Sequence, residues 1–247
     1  MIFITGDCHG DYRRFNRKIF PEQKEMTKED LVIVCGDFGF WDNSKEQRYW
    51  RKWLSNKSFT TLWVDGNHEN YDLLKEIPVS EWKGGKVQFI SDSIIHLMRG
   101  QVFELQGKKI FTFGGARSHD IRDGILDPTG KDFKKEYKKL CSRNAMFRVN
   151  HQSWWAEEMP NKTEMQEGRE NLERNGWTVD YIVTHCTASS VQSLLSCGQF
   201  EADELTAYFE EVRQKCRFKK WFFGHYHDNR NVSMRDILIY EQILRIC

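Results

Sequence analysis

An α/β fold, with a largely parallel sheet followed by antiparallel strands, is what this sequence predicts. Three observations carry the prediction. Short apolar runs stop abruptly at Gly, Asp or Asn; helically spaced apolar residues separate the first of these runs; and the rhythm changes after Val87, where brief strands succeed one another through polar turns.

The elements follow in order. Ile2–Thr5, Leu31–Cys35 and Thr60–Asp65 are β-branched or aromatic runs closed by turn-forming residues, as buried strands are. Between the first two, Asp11–Phe20 places Tyr12, Phe15 and Ile19 at helical spacing. Between the second and third, Ser44–Leu54 does so with Tyr49, Trp50, Trp53 and Leu54. Val87–Ile90, Ile94–Met98, Val102–Leu105 and Lys109–Phe113 read as a meander that adds antiparallel strands and a second sheet. Trp154–Gly176 is helix-like and charged, Val179–Thr184 a buried strand, Ala202–Cys216 an amphipathic helix and Trp221–Phe223 another strand. Asn231–Met234 and Ile237–Ile246 are strand-like.

Residues 1–247 show no internal repeat or low-complexity linker and read as one domain. Asp120–Arg148 stands apart: turn residues come first, then Lys131, Lys134, Lys135, Lys138, Lys139 and Arg143. A basic insertion at about 120–147 is expected, its lysines forming a solvated helix face, with a substrate-facing cap as the alternative.

Composition narrows the functional classes. A net charge of +1 gives no global field for nucleic acid or membrane surfaces, and no apolar run approaches the length of a bilayer span. The chain enters a strand at once, without a signal-peptide pattern. Its seven cysteines are scattered, odd in number and without C-x-x-C spacing, so a reducing, cytoplasmic location is expected.

The chemistry lies in five fragments, each following a strand-like run: Gly6-Asp7-Cys8-His9-Gly10, Gly36-Asp37-Phe38-Gly39, Gly66-Asn67-His68-Glu69, Thr184-His185 and Gly224-His225-Tyr226-His227. Five of the eight histidines fall inside them, which singly would be unremarkable and jointly is not. Sites in open α/β sheets form at the carboxyl ends of strands. Carboxylate, amide oxygen and imidazole without thiolate suit manganese, iron or zinc. Cys8 and Cys186 flank these groups as packing residues.

The order GDxH, GDxG, GNHE, TH, GHxH resembles the calcineurin-like metallophosphoesterase superfamily over nearly the whole chain. That resemblance implies a four-layer α/β/β/α sandwich and a two-metal site. Carried over, Asp7, His9 and His227 hold one metal, Asn67, His185 and His225 the other, and Asp37 bridges both. His68 is then the acid or transition-state donor. Two cations ~3.5–4 Å apart lower the pKa of a bridging water, so a metal-bridging hydroxide can attack a phosphate mono- or diester. Two divalent ions are therefore the expected cofactor, manganese first and iron or zinc next.

Departures refine the resemblance. Ser/Thr protein phosphatases share Gly-Asp-x-His-Gly and Gly-Asn-His-Glu, but their middle motif GDxVDRG is here Gly36-Asp37-Phe38-Gly39-Phe40-Trp41-Asp42, lacking the second Asp and the Arg. A protein phosphatase is thereby disfavoured, and His68 is left without its orienting partner. Small bacterial and phage-type metallophosphoesterases are more similar, in Val64–Asn70, in Gly114-Gly115-Ala116-x-Ser118-x-Asp120 and in Arg148-x4-Ser153-Trp154-Trp155-x-Glu157-Glu158. Relatives usually connect the last two elements briefly; here the basic segment intervenes.

Arg148 is the candidate anion clamp, because a guanidinium fork grips two phosphate oxygens; an ion pair with Glu157 or Glu158 is the alternative. His119 and His151 are expected to be incidental, and Trp154 and Trp155 to be core and rim aromatics rather than base-stacking platforms. A phosphorylated substrate is expected, a small molecule or nucleotide ahead of nucleic acid or phosphoprotein, and no membrane partner. A nuclease or cyclic-nucleotide phosphodiesterase, and a non-catalytic binding scaffold on the same fold, are the competing functions.

Overall fold

The computed structural model describes all residues, Met1–Cys247. Along the chain run β1 (Ile2–Thr5), β2 (Leu31–Val34), α1 (Lys45–Ser55), β3 (Thr60–Trp63), α2 (Tyr71–Lys75), β4 (Val79–Trp82), β5 (Gly85–Ser91), β6 (Ile94–Leu97), β7 (Gln101–Leu105) and β8 (Lys108–Phe113). There follow β9 (Ile125–Leu126), α3 (Phe133–Ser142), β10 (Arg148–Val149), α4 (Lys162–Arg174), β11 (Tyr181–Thr184), α5 (Ser189–Ser196), α6 (Glu204–Lys215), β12 (Lys220–Phe223), β13 (Arg230–Asn231), β14 (Asp236–Leu238) and β15 (Ile243–Arg245).

Two mixed sheets result. One has the order β15-β1-β2-β3-β6-β5-β4, the other β13-β14-β12-β11-β8-β7. The central pairs β1·β2, β2·β3 and β11·β12 are parallel, so their carboxyl ends collect at one edge of each sheet. Alternating side chains explain the layering. Ile2, Ile4, Leu31 and Ile33 of the first sheet meet Ile110, Val183 and Phe222 of the second in an inter-sheet core. The other face of the first sheet packs Phe3, Val32, Val34 and Trp63 under Tyr12, Phe15, Leu54 and Phe59. The outer face of the second packs Phe111, Ile182 and Trp221 under Met165 and Leu172 of α4 and Leu205 and Phe209 of α6. The result is an α/β/β/α sandwich. Burial on both faces is why these strands read as unbroken apolar runs. No helix is long and apolar enough to cross a membrane.

Four expectations are corrected. Asp11–Phe20 forms no α-helix, only a 3₁₀ turn at Arg13–Phe15. The Asn16 side chain accepts the N–H of Lys18, and Pro21 opens a second 3₁₀ turn, so the backbone closes locally instead of propagating. The meander is divided: β5 and β6 belong to the first sheet, β7 and β8 to the second. The closing apolar run is split likewise, β14 joining the second sheet while β15 crosses over to pair antiparallel with β1. The charged helix starts only at Lys162, after Pro160 and an Asn161–Glu164 capping box.

Candidate metal centre

Each ligand candidate sits where a parallel strand stops: Asp7 and His9 after β1, Asp37 after β2, Asn67 after β3, His185 after β11, and His225 and His227 after β12. His9, Asp37, His225 and His227 have left-handed backbones, with φ of 46°, 43°, 70° and 49°. Side chains that would otherwise diverge along a strand are thereby turned inward. Glycines make the convergence sterically feasible: a Cβ on Gly66 would lie 2.0 Å from Oδ1 of Asp37, and one on Gly224 2.0 Å from Oδ1 of Asp7.

Asp7, His9, Asp37 and His227 present donor atoms that all lie within 4.8 Å of one another. The Nε2 atoms of His9 and His227 are 3.0 Å apart, and His227 Nε2 is 3.2 Å from Oδ2 of Asp7. Asp37 faces both halves of the site: Oδ2 is 3.7 Å from His9 Nε2 and Oδ1 is 3.5 Å from His185 Nε2. Asn67 completes the second half, its Oδ1 3.1 Å from His185 Nε2. The His225 ring centroid stands 5.0 Å from that of His185.

The donor set fits a cation on one specific observation. His185 is fully buried and its Nδ1 lies 2.9 Å from the carbonyl oxygen of Cys35, which can only accept, so Nδ1 carries the proton. In the neutral ring Nε2 then presents a lone pair, and that lone pair faces the oxygens of Asn67 and Asp37. Acceptors facing acceptors in a buried space are repulsive unless positive charge lies between them. Divalent ions would supply it.

Electrostatics agree. Burial raises the Asp7 carboxyl, and positive charge at His185, then the bond with His227 and the N–H of His225, outweigh it and hold it below the usual range; with the His185 ring neutral, a cation in front of it would supply that charge instead. Burial lowers His9 and His225, favouring neutral imidazoles, whereas the bond to Asp7 raises His227. Burial pushes the thiols of Cys8 and Cys186 up to about 12, in keeping with packing residues.

His68 is held through its backbone, its N–H donating to Asp37 Oδ1 at 2.8 Å and its carbonyl accepting Trp41 Nε1–H at 2.7 Å. It lines a cavity of about 630 Å³ together with His9, Trp41, Arg148, Trp155 and His227. A second cavity of about 570 Å³ shares His227 and is lined by His119, His225, Phe200, Tyr226 and Arg230. Arg148 therefore reaches the site, and its ion-pair partner is Asp120, through Nε at 2.8 Å and through Nη2. The alternative partners are engaged elsewhere, Glu157 by Lys75 and Glu158 by Ser118. Neither cavity is lined by a lysine of the Lys131–Lys139 run.

Ser118-His119-Asp120 forms a strap beside the site, and His119, expected to be incidental, instead lines the second cavity. Its three side chains contact, in turn, Asn67 Nδ2 at 3.2 Å, His225 Nε2 at 2.8 Å and Arg148. The Gly114-Gly115 pair ahead of it was the available signal. His151 instead pairs with Asp72 at 2.8 Å. Trp155 is buried and donates to Asp72 as well.

A family model of calcineurin-like phosphoesterases matches residues 1–229. Among curated proteins, lariat debranching enzyme A of Xenopus laevis is 29% identical over 150 residues, 53% of this chain and 27% of that protein. The lariat debranching enzyme of Homo sapiens is 26% identical over 143 residues, 51% of this chain and 25% of its own length. That of Arabidopsis thaliana is 31% identical over 105 residues, covering 36% and 25%. The matched region thus spans about a quarter of each of these relatives.

Proposed function

The chain belongs to the calcineurin-like phosphoesterase family and is a metal-dependent phosphoesterase, and on that premise we propose that it cleaves phosphodiesters at a dinuclear centre. Asp7, His9 and His227 would hold one ion, Asn67, His185 and His225 the other, with Asp37 shared. Manganese is the proposed ion, and iron or zinc suits the same donors. When bound, such ions lower the pKa of water and offset charge on phosphate oxygens.

The protein's own groups do the rest. Arg148 lines the cavity and is steadied by Asp120 through Nε and Nη2, which leaves Nη1 to act as an anion clamp on a non-bridging oxygen. His68, fixed at both its N–H and its carbonyl, stands in the same cavity to give a proton to the departing alkoxide. Asp37 ties His68 to the proposed ligand set by accepting its backbone N–H.

The observation that carries the preference for diesters is the pair of adjoining cavities meeting at His227. A diester phosphorus bears two organic arms, and two cavities give each a place; a monoester needs one. Trp41 in the first, and Phe200 stacked on Tyr226 at 6.0 Å in the second, suit planar nucleobase-like groups. Because the lysine run lines neither cavity, a small nucleotide diester is favoured over tracking along a polymer. The curated relatives are lariat debranching enzymes, so a branched lariat belongs among the substrates tried.

Turnover of bis-p-nitrophenyl phosphate against p-nitrophenyl phosphate, with and without manganese, tests the proposal. A manganese-dependent preference for the bis ester is expected. Preference for the monoester would overturn the diester reading, and inactivity on every ester despite bound metal would favour a binding scaffold.

A further inference from the structure

We propose that Ser118 and Glu158 are positioning residues that set the sense of the Asn67 amide, turning its carbonyl oxygen and not its NH₂ toward the metals. The inference rests on the dinuclear reading above, and extends it to residues outside the ligand set.

Asn67, Ser118 and Glu158 are 4%, 5% and 1% exposed, so no bulk water competes for their hydrogen bonds. Glu158 accepts twice from Ser118, from the backbone N–H at 2.9 Å and from the hydroxyl at 2.5 Å. A serine hydroxyl has one proton. Once that proton is given to the carboxylate, Oγ can only accept, and what it accepts is the Asn67 Nδ2–H at 3.2 Å. The amide is planar, so Oδ1 must point the other way, to the space in front of His185 Nε2.

The carboxylate is itself held in place. Arg99 binds Oδ2 of Asp65 through Nε at 2.8 Å and Nη2 at 2.5 Å, and the same Nη2 donates to the carbonyl of Glu157 at 2.8 Å. Asp65 lies two residues before Asn67. The loop carrying the ligand and the loop carrying its orienting acid are thus pinned to one guanidinium.

Glu158→Gln tests this with little change in shape. A carboxamide can still accept the Ser118 N–H, but its own NH₂ then faces Oγ. The hydroxyl proton is redirected toward Asn67, whose amide must turn and offer NH₂ to the metals. Burial pushes the Glu158 carboxyl up to about 7, so manganese titration calorimetry is run at pH 8.5, where it is ionised. Wild-type protein is expected to bind two manganese ions. The Glu158→Gln variant should lose about 10- to 100-fold in affinity at one of them, the usual effect of removing an outer-shell partner.

Adding Asn67→Asp to Glu158→Gln should restore binding, because a carboxylate presents an acceptor to Ser118 and another to the metals. A residue with a merely structural role would show no such rescue. Two sites of native affinity in Glu158→Gln would overturn the inference, as would absence of rescue. If Glu158→Gln does not fold, Ser118→Ala decides: about tenfold weaker binding at one site is expected, and unchanged affinity overturns it. Wild-type protein that binds no manganese would instead overturn the dinuclear reading, and this inference with it.

Discussion

The backbone N–H of His68 donates to Oδ1 of Asp37 at 2.8 Å, so one carboxylate serves two ends of the reaction. The same oxygen faces His185, and its twin Oδ2 faces His9. Asp37 thereby ties the placement of the proposed proton donor to that of the proposed metals.

Asp37→Asn should therefore do more than weaken one ligand. An amide cannot bridge two cations as a carboxylate does, so elemental analysis should find less than two metals per chain, and turnover should fall with them. Full metal content in this variant would remove the bridging role.

His68→Ala should separate chemistry from binding. Its ring packs against that of His9, centroids 5.5 Å apart, but makes no hydrogen bond to a proposed ligand, so metal content should stay at the wild-type level. Turnover should drop by about a hundredfold or more, the usual worth of a positioned proton donor. A substrate whose leaving group needs no proton, such as p-nitrophenolate, should lose much less; an equal loss on both would assign His68 another role.

Arg148→Lys keeps the charge and removes the fork. Asp120 occupies two of the guanidinium nitrogens, and a lysine cannot satisfy that acid and a phosphate oxygen in the same geometry. KM should rise about tenfold, with manganese affinity unaltered. An unchanged KM would place Arg148 in the structure alone.

Glu158 should give the fold a distinctive pH dependence. Burial raises its carboxyl from an ordinary 4.5 to about 7, against the pull of the Ser118 donors and with Asp120 adding to the rise. Between those pH values the folded state holds a proton that the unfolded chain has released. Stability from this group is therefore fully present below about 4.5 and is lost as pH climbs through about 7, by roughly 3 kcal/mol in all. Urea unfolding at pH 5 and pH 8 should show that decline, and Glu158→Gln should lack it. Equal slopes in the two proteins would sink the assignment.

How much of this was legible in the sequence depends on distance along the chain. The seven proposed ligands stood out because each follows a strand buried on both faces, and such strands announce themselves as apolar runs ending in Gly-Asp, Gly-Asn, Thr-His or Gly-His. Their partners did not. Ser118 contacts Asn67 across 51 residues and Glu158 contacts Ser118 across 40, with no strand end to mark either. The Asp120–Arg148 pair closes a 28-residue excursion, and proximity of its two ends is invisible until the excursion is folded. Tyr12, Phe15 and Ile19 misled in the opposite direction. Tyr12 and Phe15 are buried as a helix face would be, but Ile19 is 64% exposed, since the backbone has already turned at Asn16.

The left-handed backbones of His9, Asp37, His225 and His227 have a consequence for how the protein fails. Each such conformation costs a non-glycine residue about 1 kcal/mol and persists only while its surroundings enforce it. Warming that loosens those surroundings ahead of the sheets gives the four residues an incentive to relax outward. Loss of activity should thus precede melting of the sandwich, and cooling a briefly heated sample should bring it back.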